Sequence, residues 1–190
     1  MEKQSKTFLL LLARKAIEEY CLYGTRLALQ EADIPFQVND NLLTKRGVFV
    51  TITKHHELRC CVGDLSGRQS IYQEVIDNAI NAGFDDYRFS KLQSNELHDI
   101  KLEISVLSPL KIIKVTSPKE LIRLLETKKP GLYLELNNAG ATFLPQVWKD
   151  LKTPLDFLSQ LCAKAGLQED DWKNPKMNFW TYIVDSFEEN

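Results

Sequence analysis

The sequence predicts an α+β fold with an antiparallel sheet and helices packed against it. Two pairs of strand-like runs, 47–53 with 58–63 and 132–136 with 141–144, are each joined by a short polar turn, which is typical of β-hairpins. A strictly alternating run at 101–107 predicts a half-buried strand. Because these strands do not alternate one by one with helices, the order disfavours a doubly wound parallel sheet.

Apolar residues at helical spacing and local capping signals predict the helices. We expect helices over 5–30, from Ser70 to Gly83, from Ser117 to Leu125 and from Thr153 to Gly166. Ser70 with Gln73 and Ser117 with Glu120 have the spacing of capping boxes. Residues 34–43 are expected to be irregular, and 177–187 are expected to form one final strand.

Composition bounds the class of protein. A chain of 190 residues with 44% hydrophobic content fits one domain, or one domain with a small lobe, and an ordinary core. A net charge of −2 argues against a broad nucleic-acid surface, and no apolar stretch approaches a membrane span. The N-terminal apolar run ends at Arg14-Lys15, and four cysteines lack disulfide spacing, so we expect a cytoplasmic protein with reduced thiols.

The stretch from Leu58 to Gly63 carries the strongest chemical signal. In a regular strand Leu58, Cys60 and Val62 share one face, while Arg59, Cys61 and Gly63 share the other. A guanidinium two residues from a thiol on one face favours the thiolate and attracts an anion. Cys61 is therefore the candidate nucleophile, with a small buried side chain as the structural alternative.

Three further segments supply candidate ligand-binding residues. Arg88 could join Arg59 in holding a carboxylate or phosphate, or Asp86 could pair with an arginine to fix its loop. Glu103 is an acid or base if its strand face lines the same cleft, and otherwise a solvated carboxylate. Gln146 either donates to a ligand or satisfies local backbone groups.

The sequence predicts no metal site and no cofactor. It contains neither paired cysteines at zinc-binding spacing nor a glycine-rich phosphate loop. The histidines His55 and His56 fall in the first hairpin turn, and His98 lies in no matching motif. This distribution argues against a thiol-protease mechanism, in which a histidine base usually activates the cysteine.

Taken in order, these motifs resemble the AMMECR-type domain family, also called AmmeMemoRadiSam system protein A. Its L-R-G-C-I/V-G signature corresponds to 58–63, with Cys60 in place of the usual glycine, and its D-P-R-F corresponds to 86–89, with Tyr87 in place of proline. Further matches lie at 102–107, 141–148, 157–166 and near Trp180. The resemblance implies one domain over 1–190 with two lobes, the smaller carrying the second hairpin. It also implies a Memo-type or radical-SAM-type partner protein.

Two functional hypotheses follow. In the first, a cleft around Arg59, Cys61, Asp86 and Arg88 holds a small anionic ligand, and Cys61 is available for chemistry. This hypothesis assigns ligand contacts to Gly63, Glu103 and Gln146 as well. In the second, the chain is a non-enzymatic interaction or assembly module, and the motif residues are structural.

Overall fold

The computed structural model describes residues 1–30, 33 and 42–189. Its helices and strands confirm the α+β class. The described helices are α1 (Lys3–Tyr23), α2 (Ile71–Phe84), α3 (Pro118–Lys128) and α4 (Pro154–Lys164). The strands are β1 (Val48–Lys54), β2 (Glu57–Asp64), β3 (Ile100–Leu107), β4 (Lys111–Ile113), β5 (Gly131–Leu136), β6 (Ala139–Phe143), β7 (Asn178–Tyr182) and β8 (Val184–Glu188). Most of the expected irregular segment at 34–43 lies outside the described residues.

The first of two compact units comprises Met1–Leu107 and Asp185–Asn190. Its four-stranded sheet has the order β2-β1-β3-β8. Val48, Val50 and Ile52 alternate along β1 and are fully buried in one core with apolar residues of α1 and α2. We call the opposite face of this sheet, which carries Phe49, Thr51 and Thr53 on β1, the outer face.

The second unit comprises Ser108–Val184. Its four-stranded sheet has the order β4-β7-β5-β6, and α3 and α4 contribute to a separate apolar core. Leu132 and Leu134 of β5 are fully buried there. Trp148 stacks on Phe157 of α4 at 3.9 Å between ring centroids, and its indole N–H donates to the Pro130 carbonyl at 2.9 Å. Among the described residues, no helix is both long enough and apolar enough to cross a membrane.

Both predicted hairpins are confirmed, and both close through two-residue turns. β1 pairs with β2 around His55-His56, and β5 pairs with β6 around Asn137-Asn138. Each turn has φ of 52° and then 68°, which is the type I′ geometry. Asparagine tolerates this left-handed region well, whereas histidine adopts it less readily.

Several predicted helix ends are wrong for identifiable reasons. α1 ends at Tyr23 and not near residue 30, because Gly24 adopts φ 69° and its N–H donates to the Tyr20 carbonyl. Gly83 does not end α2 but lies inside it, where a side chain would collide with Leu92. The sequence shows a glycine in both places. Only the backbone conformation distinguishes Gly24, which ends a helix, from Gly83, which allows a close contact within one.

The capping predictions are met only in part. Ser70 precedes α2, but its hydroxyl donates to the Gln73 side chain at 2.8 Å and caps no backbone N–H. Ser117 does cap α3 by accepting from the Glu120 N–H at 3.3 Å. The Glu120 carboxylate, however, accepts from the N–H and hydroxyl of Thr116, one residue before the predicted partner.

The predicted final strand is two strands in two sheets. β7 pairs with β4 and β5 in the second unit, whereas β8 is the edge strand beside β3 in the first. Alternation of apolar residues specifies which face a side chain takes, but it does not specify which sheet a strand joins. The break at Ile183 therefore leaves no clear mark in the sequence pattern.

Candidate functional site

A β-bulge in β2 reorganises the predicted site. Ile52 pairs with Cys60, but the next residue of β1, Thr53, pairs with Leu58, so Arg59 is an extra residue in the ladder. Cross-strand partners lie on the same face, and Leu58 therefore shares the outer face with Cys61, which is opposite Thr51. The predicted faces are wrong for Leu58 and Arg59, although Cys60 and Cys61 do lie on opposite faces.

The guanidinium of Arg59 binds a carboxylate and carbonyls away from the Cys61 thiol. Its Nε and Nη2 donate to the two oxygens of Glu96 at 3.1 and 3.2 Å, and its Nη1 donates to the Ser90 carbonyl at 2.8 Å. Lys54, at the end of β1, also donates to Glu96 at 3.1 Å. These donors, led by Arg59, lower the pKa of Glu96 to about 2. The prediction that Arg59 lies beside the Cys61 thiol is thus wrong.

Asp86 and Arg88 cover the edge of the sheet at Cys61. β2 is an edge strand, and the Cys61 N–H donates to Asp86 Oδ2 at 3.0 Å while the Cys61 carbonyl accepts from Arg88 Nη2 at 3.0 Å. Arg88 also binds both Asp86 oxygens, at 2.9 and 2.8 Å. The hydrogen bond from Arg88 is the main cause that lowers the pKa of Asp86 to about 2. The pair satisfies backbone groups that an edge strand leaves open.

Cys61, Thr51 and Glu103 form a row across three adjacent strands on the outer face. Thr51 of β1 pairs with Cys61 of β2 on one side and with Glu103 of β3 on the other. The Thr51 hydroxyl donates to Cys61 Sγ at 3.3 Å. Glu103 accepts from the Ser105 hydroxyl at 3.3 Å, so a thiol, a hydroxyl and a carboxylate follow one another along this face.

Gly63 has a packing reason to be glycine. A side chain there would meet the Phe49 ring, since an ideal Cβ lies only 2.3 Å from Phe49 Cγ. Phe49 is the cross-strand partner of Gly63, and the ring occupies the space beside the glycine backbone. Contact between Gly63 and a ligand stays a prediction.

The four thiols lie in different surroundings. Cys60 is 1% exposed, and burial is the main cause that raises the pKa of its thiol to about 12. Burial also raises the pKa of Cys21 and of Cys162, which is fully buried on α4 as its helical stripe predicts. Cys61 is half-buried.

Gln146 belongs to a different compact unit from the other candidate residues. It belongs to a 3₁₀ turn, Pro145–Lys149, in the second unit, whereas the other candidate residues belong to the first. Its role as a ligand contact stays a prediction. Within the described part of the chain, no group of three or more His, Cys, Asp or Glu side chains is placed to hold a metal ion.

The AMMECR1 family profile matches residues 10–187. The chain belongs to the AMMECR1 family. It is similar to Protein MK0488 of Methanopyrus kandleri, with 35% identity covering 96% of this chain and 87% of that protein. It is also similar to Protein NEQ441 of Nanoarchaeum equitans, with 34% identity covering 94% and 97%. The crystal structure of uncharacterized protein PH0010 from Pyrococcus horikoshii superposes with a TM-score of 0.90 at 30% identity, covering 100% of this chain and 94% of that one.

Two residues of this AMMECR1 site were missed by reasoning from the sequence. One is Thr51. If the strands paired regularly from the hairpin turn, with no bulge, Thr51 would lie opposite Cys60 and beside the buried thiol. Glu96, the partner of Arg59, lies 37 residues from it in the chain and belongs to no motif. A long-range ion pair of this kind has no local signal in a single sequence.

Proposed function

We propose that this AMMECR1 protein is a cytoplasmic protein that binds a small anionic or electrophilic molecule on the outer face of its first sheet. Cys61 is the soft or nucleophilic contact, and Arg88 is the cation that faces the ligand's negative charge. The observation that carries the proposal is the row of Cys61, Thr51 and Glu103 on three neighbouring strands. Cys21, Cys60, Cys61 and Cys162 form no disulfide bond with one another, which fits a reducing compartment.

The proposal of a reactive thiol rests on two contacts of Cys61. A hydroxyl that donates to sulfur stabilises the negative charge, and the Thr51 hydroxyl lies 3.3 Å from Sγ. Arg88 donates to the Cys61 carbonyl at 3.0 Å, and its charge is offset in part by Asp86, to which it is paired. Partly exposed thiols beside positive charge are the reactive ones in proteins, whereas buried thiols such as Cys60 are inert.

Glu103 supplies a carboxylate at the far end of the row. Strands in a sheet are about 4.8 Å apart, so Glu103 is two strand spacings from Cys61, with Thr51 between them. Glu103 thus adds a carboxylate, and no histidine, to the face that carries the thiol.

Arg88 is better placed than Arg59 to meet an anionic ligand. The Arg88 side chain is 47% exposed, and its Nη1 has no hydrogen-bond partner within the part of the chain that the structure describes. Arg59 is 14% exposed and its Nε, Nη1 and Nη2 all donate to protein oxygens. Binding an anion at Arg59 would require breaking the pair with Glu96.

A second candidate function is a non-enzymatic assembly module, with a Memo-type or radical-SAM-type protein as the partner. The observation that favours it is the internal use of the motif residues Arg59 and Asp86, which hold the edge of the sheet and its neighbouring loop. Under this alternative Cys61 is a small side chain with no chemical role.

Thiol alkylation separates the two functions. The folded protein is treated with iodoacetamide at pH 7, and the rate at each cysteine is measured by peptide mass spectrometry. We expect Cys61 to react about tenfold faster than Cys21, since one charge-assisted hydrogen bond is equivalent to roughly that factor. Thr51→Val should remove most of the difference and Thr51→Ser should retain it.

The same measurement in urea provides the control, because the two thiols become equivalent when the chain unfolds. Equal rates for Cys61 and Cys21 in the folded protein would contradict the ligand-site proposal and favour the assembly module. A high Cys61 rate that Thr51→Val leaves unchanged would overturn the role of the row.

A further inference from the structure

An apolar cavity of about 260 Å³ lies within the second unit, remote in sequence from Cys61. It lies beside the C-terminal part of α3 and the neighbouring strands β4 and β7. Aliphatic and ring atoms of Ile113, Leu124, Pro130 and Ile183 form much of its lining. At about 30 Å³ for each water-sized group, the cavity has room for roughly eight or nine such groups.

The cavity leaves apolar surface uncovered. Ile183, between β7 and β8, is 72% exposed, and Leu124 on α3 is only half-buried. Covering aliphatic surface of this kind with an apolar ligand is favourable. A concave apolar lining with few polar groups is the usual form of a small-molecule site.

Two lysines place positive charge at the same cavity. Lys111 comes from β4 and Lys128 from the last turn of α3, and both are exposed. Across the described ranges, neither ammonium group has an acidic partner within ion-pair distance. The partial charge of about −0.5 at the C-terminus of a helix offsets only a quarter of their combined charge.

From this combination we infer a second binding site, which takes a small carboxylic acid with an unbranched apolar body of about eight carbons. The chain of the acid occupies the cavity against Ile113, Leu124 and Ile183, and its carboxylate meets Lys111 and Lys128. This site is independent of the chemistry proposed at Cys61, since its lining belongs entirely to the second unit.

The test is a titration of the full ¹⁵N-labelled chain with octanoate, and with octanamide as the uncharged match. We expect saturable shifts of amides in 108–113, 124–130 and 181–183, and at least about fivefold weaker binding of octanamide. The double variant Lys111→Gln/Lys128→Gln should weaken octanoate about fivefold and leave octanamide unchanged. Ile183→Ser should weaken both ligands.

Lys119→Gln is the control, because Lys119 is an exposed lysine at the other end of α3 and does not line the cavity. It should leave the affinity for octanoate unchanged. Absence of saturation up to roughly 10 mM octanoate, equal affinity for octanamide, or shifts that map to other residues would each overturn the inference.

Discussion

Replacement of Arg59 by alanine tests whether this motif arginine is structural. The change leaves Glu96, whose side chain is 14% exposed, with Lys54 and the Gln93 N–H as its remaining partners. A folded-state pKa of about 2 against an ordinary value of 4.5 corresponds to about 3 kcal/mol at neutral pH, at roughly 1.4 kcal/mol per pH unit. Because Arg59 is the largest cause, we expect Arg59→Ala to lower the free energy of unfolding by about 2–3 kcal/mol.

The loss of unfolding free energy in Arg59→Ala should depend on pH in a defined direction. The pKa of Glu96 is depressed in the folded protein, so its stabilising contribution is complete above about 4.5 and disappears as the pH falls toward 2. The difference between wild type and Arg59→Ala is therefore expected to be full at pH 7 and to shrink clearly by about pH 3. Asp86, whose pKa is also about 2, is unchanged in both proteins and cancels from the comparison.

The assay is urea unfolding followed by far-ultraviolet circular dichroism, with amide exchange of peptides spanning 48–64. Tryptophan fluorescence would report on the wrong part of the molecule, because Trp148, Trp172 and Trp180 all belong to the second unit. Arg26→Ala is the matched control, since Arg26 forms an exposed pair with Asp77 that is worth at most about 1 kcal/mol.

Two results would contradict a stabilising role for the pair of Arg59 and Glu96. Arg59→Ala could destabilise the protein no more than Arg26→Ala at pH 7, which would mean that the pair with Glu96 contributes little. Alternatively, the difference from wild type could be the same at pH 3 as at pH 7, which would assign the loss to packing and not to charge.

Three further predictions concern the same hairpin and its edge. The substitution His55→Asn/His56→Gly should raise the free energy of unfolding by about 1 kcal/mol in urea, because these residues suit positive φ better than histidine does. Gly63→Ala should lower it by about 2–3 kcal/mol in the same assay, since the new methyl group meets the Phe49 ring, and an unchanged midpoint would disprove this packing. Asp86→Asn should accelerate exchange of the Cys61 amide, whose hydrogen bond to the carboxylate is charge-assisted, whereas unchanged exchange would contradict the edge-covering role.

Local signals predicted most of the fold correctly. The two hairpins follow from alternation around short turns, and α3 and α4 start where a serine or threonine precedes proline. α4 begins after Thr153 and ends at Lys164, and Gly166 adopts φ 75° two residues later. Such features depend on neighbours within a few residues, and a single sequence contains that information.

The site was predicted less completely because its geometry depends on one inserted residue. The bulge at Arg59 shifts the register of β2, so that Cys61 and not Cys60 lies opposite Thr51, and the Arg59 guanidinium binds Glu96. The sequence 58–63 has no proline or unusual turn residue to mark this shift. Cys61 is joined by hydrogen bonds to Asp86 and Arg88, which lie 25 and 27 residues away in the chain. The resemblance to the family groups these residues, because no local pattern links segments so far apart.

The role of Arg88 at Cys61 is tested most directly by the rate ratio of iodoacetate to iodoacetamide at Cys61, measured at low salt with Cys21 of the same molecule as the internal reference. Iodoacetate carries a negative charge and iodoacetamide does not, so the ratio reports the cation that faces the thiol. We predict that Arg88→Gln lowers this ratio by about threefold, that Arg88→Lys retains it, and that Arg59→Gln leaves it unchanged. A ratio that falls in Arg59→Gln but not in Arg88→Gln would contradict the central claim that Arg88, and not Arg59, serves Cys61.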